Sequence, residues 1–346
     1  MRWHSFQVYY HAEDKNSLIL EAIRPVTRRL RHQVDSMYYL RHWLHGPHVR
    51  LYIRCTPSLL ETLVRPTVEE VVGRFLAARP STARLDPQEH LPMHRRLAEL
   101  ESVSGDLLPW YPDNSLNLTT EADPVPSEAT SARLLTDFYS NTTDLAFQMT
   151  EDIAFGGQRL AIAFDLMIAT AHALSGVGIA RGGLSFRSHA EAFLHGYPEG
   201  EGLREAWDRH YHRRSAALVT RVRAVVADLD GTTSAVPYVR DWVDVLRPHR
   251  DRASRLVSSG LLTEQEPPVD ADIEIVDLTQ VSPFHRELFA SSAWQEQTAA
   301  TEWFLSYKLV LNHTYLHLTR LGVSPVERFL LCHLAAGAIE QAHGMS

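Results

Sequence analysis

Lysine is nearly missing from this sequence: of 34 basic residues only Lys15 and Lys308 are lysine, and the others are arginine. Schiff-base chemistry therefore has two candidate amines, and the phosphate-cradling GxxxxGK[ST] pattern is absent. Cysteine is as scarce. Cys55 and Cys332 form neither a CxxC pair nor a cysteine-rich zinc site. The opening stretch MRWHSFQVYYHAED has no apolar core of a secretory signal, so both thiols are expected reduced in a cytoplasmic protein. No run of 18 residues is free of charge, which predicts no membrane span. A Gly-x-Ser-x-Gly elbow, an HExxH helix, an EF-hand loop and a GxGxxG turn are all lacking. The residues point to no metal and no cofactor.

What is present is ample core material. The 346 residues are 45% hydrophobic and 22% charged, enough for two domains or one two-lobed body. The net charge of −8 is uneven: residues 1–100 carry +5 and the remainder −13. That balance argues against nucleic-acid binding, which wants a strongly basic face. It leaves a positive N-terminal region suited to an acidic peptide.

Residues 5–10 (SFQVYY) read as a strand, followed by a helix N-terminus at Asp14-Lys15-Asn16-Ser17 and apolar residues at Leu18, Leu20, Ile23, Val26 and Leu30. Two strand-like runs, 37–44 and 48–55, flank His45-Gly46-Pro47, and a second helix covers about 57–78. This β-α-β-β-α order predicts an α+β fold with a ferredoxin-like sheet region over 1–80. The proline-rich stretch 81–130 is expected as long loops with one helix, and 131–346 as a large helical lobe with one late strand, 273–278. The whole is read as a single two-lobed enzyme. No internal repeat is visible.

Five stretches carry possible chemistry. In RHWLHGPHVRLYIR (41–54), strand alternation puts His48, Arg50, Tyr52 and Arg54 on one face and Val49, Leu51 and Ile53 on the core side. Guanidiniums in such a row suit carboxylates or amide oxygens. His42, His45 and His48 make a poor zinc site, because a spacing of three alternates faces in a strand. On the helix 301–321, Phe304, Tyr307, Val310, Leu311, Thr314, Leu318 and Leu321 form an apolar face. Lys308, Asn312, Tyr315 and Thr319 make an adjoining stripe, with His313 and Arg320 pointing away. Tyr315, where core meets polar line, suits either a structural hydrogen bond or a catalytic acid. LSFRSHAEAFL (184–194) offers Ser188 and Glu191 as a capping box, and Ser282-Pro283 is another cap. Trp110–Asn114 (WYPDN) reads as a turn with aromatics. Spacing alone names no reaction.

Together these stretches resemble the small, freestanding relatives of the lanthipeptide dehydratase C-terminal domain found in thiopeptide biosynthesis. The clearest parts are YYLRHWLHGPHVRLYIR, FRSHAEAFL and LNHTYLHLTRLGVSPVERFLLCHL. One group in that family eliminates glutamate from glutamylated serine or threonine. Here Tyr52 interrupts the arginine alternation of that group, and Thr319 stands where it would favour asparagine. The stretches ELESVSGDLLPWYPDNSLNL and FYSNTTDLAF instead resemble the pyridine synthases.

That resemblance implies a cofactor-independent, formal [4+2] aza-cycloaddition of two dehydroalanines in one leader-bearing precursor peptide. Loss of water and of the leader then leaves a pyridine-centred macrocycle. It also implies roles: Tyr315 as donor to the amide oxygen, with Ser282 and His189 orienting groups or relaying protons. Arg41, His48 and Arg50 would bind peptide carbonyls or carboxylates, with Asp113 and Asn114 at the border. The expected partner is the modified precursor peptide, with no nucleic acid and no membrane; a homodimer is compatible with so many helices. The alternatives are glutamate elimination, a leader-binding scaffold and, more remotely, a peptide aminoacyl-tRNA ligase.

Overall fold

A computed structural model describes residues 1–100, 103–119, 130–197, 200–232, 236–262, 282–292, 294 and 301–344. The expected strand at 273–278 lies outside the described residues. The chain divides into two compact units, Met1–Gly157 and Gln158–Ser346.

The first unit is built on a four-stranded antiparallel sheet in the order β2-β3-β1-β4. Its strands are β1 (Arg2–Tyr9), β2 (Ser36–His42), β3 (His48–Cys55) and β4 (Ser115–Thr119). β4 was hidden in the sequence inside a proline-rich stretch that read as loop, yet SLNLT pairs with β1 through Gln7↔Asn117. The core face is as expected: Val49, Leu51 and Ile53 are buried with Phe6 and Val8. On the opposite face His48 and Tyr52 are buried as well, Arg50 is half-buried and Arg54 is exposed. The helix Thr130–Asn141 stacks Tyr139 on Tyr38, which in turn stacks on Tyr52 at 4.7 Å, and Tyr9 lies against His48 at 4.5 Å. The helix Thr143–Ala154 packs on the core face, where Phe147 stacks on Tyr39 beside Leu51. Both helices pack with the sheet.

The connections β1 to β2 and β3 to β4 share a feature: each has a helix containing a five-residue π-helical turn, Ile19–Ile23 in the first and Leu60–Val64 in the second. The second connection also holds the helix Pro87–Leu100. Each turn is followed at once by Arg-Pro, Arg24-Pro25 and Arg65-Pro66. Proline lacks an N–H and its ring crowds the carbonyl four residues back, so a wider turn ahead of it relieves both problems. The residues flanking the two turns differ enough that only the backbone makes the equivalence plain.

The second unit is helical. Its central helix, Glu302–Arg320, buries Tyr307, Val310, Leu311, Thr314 and Leu318 of the expected apolar face, with Leu321 just beyond its end, while Phe304 is only half-buried. His313 and Arg320, expected to point away, are buried too. The helix Val239–Ser258 covers that side, and its His249 meets His313 at 2.8 Å, nitrogen to nitrogen. The final helix, Pro325–His343, opens with Ser324 and Glu327 in a reciprocal capping box. The expected cap at Ser188 is not formed. Its helix starts at Leu184, so Ser188 lies a turn inside, and Glu191 instead binds Arg204 through two hydrogen bonds. Among the described residues no single helix is long and apolar enough to cross a membrane.

Candidate active site

In the helical unit, three segments converge around one phenol. The helix Glu302–Arg320 supplies Tyr315, the helix Leu184–Gly196 supplies His189, and the last helix supplies Cys332 and Arg328. Tyr315 Oη lies 2.8 Å from His189 Nδ1 and 3.3 Å from Cys332 Sγ. The Arg328 guanidinium sits 5.4 Å from the centre of the Tyr315 ring. Burial drives every group here toward its neutral form. Tyr315 is only 1% exposed and its pKa is raised well above the ordinary phenol value, burial outweighing the opposing pull of Arg328. Burial, with the charges of Arg328 and Lys308, pushes His189 down to about 3. Burial pushes the Cys332 thiol up to about 12. The result is a protonated phenol beside a neutral imidazole, a pair able to give a proton at one atom and take one at another. His189 is half-buried, so the pair opens at the imidazole.

Ser282 caps the helix Pro283–Ala290, as its Ser-Pro pair predicts, and accepts from the His285 backbone N–H. Its Oγ also meets His285 Nδ1 at 2.7 Å, and His285 Nε2 meets Ser188 Oγ at 2.8 Å. Ser188 precedes His189 on its helix.

The other five candidates lie in the sheet unit, where the register separates them. Arg50 pairs with Leu40, while Arg41 pairs with Val49, so the two arginines project from opposite faces. Arg41 donates to Asn16 Oδ1 at 2.7 Å. His48 is fully buried, with Nδ1–H donating to the Gly46 carbonyl at 2.7 Å and Nε2 accepting from Arg50 Nε–H at 2.9 Å. It acts to hold Arg50. Asp113 accepts from the backbone N–H groups of His11 and Asn114, both at 2.8 Å. Asn114, at φ 58°, uses both ends of its amide on the Ser81 backbone. Gly46 is fixed by geometry: its φ is 108°, and a Cβ there would lie 3.1 Å from His11 Nε2. Among the described residues no three His, Cys, Asp or Glu side chains are placed to hold a metal ion.

His48 carries a pH prediction. Burial and the Arg50 charge push it from 6.5 down to about 3. Above about pH 6.5 neither the folded nor the unfolded form binds this proton, and stability is intact. As the pH falls toward 3 the unfolded chain takes up a proton that the folded form refuses, so stability drops. The slope is at most about 1.4 kcal/mol per pH unit for each such histidine. Urea unfolding at pH 7 and pH 5 should therefore show a loss that His48→Asn reduces. An unchanged slope in that variant would remove His48 as a source.

The family described as lantibiotic biosynthesis dehydratase C-term matches residues 3–339. The chain belongs to this family. Among solved structures it is similar to "Pyridine synthase, TbtD, from thiomuracin biosynthesis", with 40% identity, a TM-score of 0.84 and full coverage of both chains. It is also similar to TsrL, at 22% identity and a TM-score of 0.70, covering 99% of this chain and 95% of that one, a likeness of fold. No curated protein matches the sequence at a significant level. Family membership explains why FRSHAEAFL and LNHTYLHLTRL appeared together in the sequence: they are the two helices that carry His189 and Tyr315. Sequence reasoning missed His285, Cys332 and Arg328. The spacing of His285 from Ser282, cap to third helical position, was a usable signal. Cys332 and Arg328 gave none, being ordinary positions on an apolar helix.

Proposed function

We propose that this protein is a thiopeptide pyridine synthase. It joins two dehydroalanines of a leader-bearing precursor peptide by a formal [4+2] aza-cycloaddition, with loss of water and release of the leader. The observation that carries this reading is the end-to-end likeness to a pyridine synthase at 40% identity. The reactive groups then belong to the substrate. Holding distant residues of one peptide together is proximity catalysis, worth about 7–11 kcal/mol in ideal cases. One dehydroalanine must react as the imidic-acid tautomer of its amide, which moves a proton from nitrogen to oxygen. The Tyr315 phenol gives its proton to the amide oxygen, His189 takes the proton that leaves the amide nitrogen, and its Nδ1 returns one to the Tyr315 oxygen, so both residues end neutral. Arg50, held by His48, is offered to a peptide carbonyl or carboxylate. We place the reaction in the cytoplasm, where the two unpaired thiols stay reduced.

The test is mass spectrometry of the protein incubated with a leader-linked peptide bearing two dehydroalanines. The expected products are a macrocycle and a free leader amide. Conversion of a glutamylated peptide to dehydroalanine instead would assign glutamate elimination. Binding of either peptide with no mass change would assign a scaffold.

A further inference from the structure

The His285 ring lies between two serine hydroxyls. Ser282 Oγ already accepts the His285 backbone N–H at 3.3 Å as helix cap, so its own hydrogen is available for the ring nitrogen 2.7 Å away. In the tautomer in which the Ser282 hydroxyl donates to His285 Nδ1, the ring proton sits on Nε2, which donates to Ser188 Oγ at 2.8 Å. In that arrangement Ser188 accepts through one lone pair and keeps its hydroxyl hydrogen to donate. The two serines differ in access. Ser282 is 2% exposed, whereas Ser188 is half-buried and adjoins His189 in the chain.

We propose that Ser188 is a second hydrogen-bond donor to the reacting peptide amide, and that His285, its tautomer set by Ser282, is the positioning residue that aims it. This rests on the pyridine-synthase reading and reassigns Ser282, which acts through His285 and not on the peptide. A neutral hydroxyl aimed at the amide oxygen stabilises the charge that gathers there as the amide tautomerises, in the manner of an oxyanion donor. No bond to the protein forms and none breaks. The arrangement requires a neutral ring, because a proton on Nδ1 would turn the Ser282 hydroxyl away. Burial lowers the His285 pKa. Of the groups facing it from the helix Leu184–Gly196, Glu191 opposes that shift and His195 adds to it. On its own helix, Arg286 and Glu287 are its neighbours in sequence.

The experiment compares wild type, Ser188→Ala, His285→Phe and His285→Gln on the bis-dehydroalanine peptide, with circular dichroism to verify folding. Ser188→Ala and His285→Phe should lose about 100-fold in kcat with KM unchanged. His285→Gln keeps an N–H for Ser188 and should recover most of that loss. The wild-type kcat should also fall on the acid side below about pH 6.5. That limb should vanish in His285→Gln, which a merely structural role would not produce. Should Ser188→Ala turn over within twofold of wild type, Ser188 is no donor. Should His285→Gln be folded and as slow as His285→Phe, or keep the acid limb, the positioning role is overturned. A wild-type protein that leaves this peptide unchanged would refute the parent reading itself, a result distinct from either.

Discussion

Tyr315→Phe is expected to reduce turnover of a bis-dehydroalanine peptide by about 1000-fold while leaving the protein folded, within the range for loss of a general acid. Phenylalanine keeps the ring, its packing in the core and its contact with the Arg328 guanidinium. What disappears is one oxygen, and with it the bonds to His189 and Cys332. Stranding the buried Cys332 and the half-buried His189 costs about 1–3 kcal/mol of stability, which a thermal melt would register separately. Turnover by mass spectrometry and stability by melting thus divide the catalytic loss from the structural one. If Tyr315→Phe turns over at the wild-type rate, the phenol has no part in the chemistry and the assignment fails.

The largest structural effect is expected at Trp242. It is fully buried, its indole lies 4.6 Å from the His317 ring, and its Nε1–H donates to Thr170 Oγ1 at 2.9 Å. Thr170 spends its own hydroxyl hydrogen on the Leu166 carbonyl within the same helix and also meets Thr314. The indole is therefore the wedge between the helix Val239–Ser258 and the neighbours that frame Tyr315. Trp242→Ala removes the wedge and leaves a cavity, at a cost of about 3–5 kcal/mol. Trp242→Phe keeps most of the volume and loses the hydrogen bond, so its cost should be closer to about 1 kcal/mol plus the smaller ring. Urea unfolding followed by circular dichroism measures both. Equal costs for the two variants would show that the hydrogen bond, not the volume, matters.

Sequence legibility followed burial pattern. The hairpin around His45-Gly46-Pro47, the Ser-Pro caps and the apolar face of the helix through Tyr315 were all legible, because each has a local cause in alternation, capping or period. β4 was not, since five residues in a proline-rich stretch acquire strand character only by pairing with β1. His313 and Arg320 were misplaced because one helix cannot reveal that a second covers its polar side. Among the site residues, the Tyr315–His189 contact joins positions far apart in sequence, and no spacing rule reaches that far. Arg41 and Arg50 looked like a pair until the register put them on opposite faces, where one residue of parity decides everything.

The shortage of amines and thiols takes on a protective meaning once their positions are known. A dehydroalanine is a Michael acceptor, and an enzyme presenting soft nucleophiles to it would alkylate itself. Cys55 and Cys332 are both fully buried, and Lys15 is 6% exposed, its ammonium held by the Ala12 carbonyl. Cys332 is the sharpest case, since its sulfur lies 3.3 Å from the phenol proposed to do the chemistry. Thiolate is the attacking form, and burial pushes this thiol up to about 12, so next to none is ionised at neutral pH. Of the two lysines, only Lys308 is left exposed to capture an activated peptide that strays.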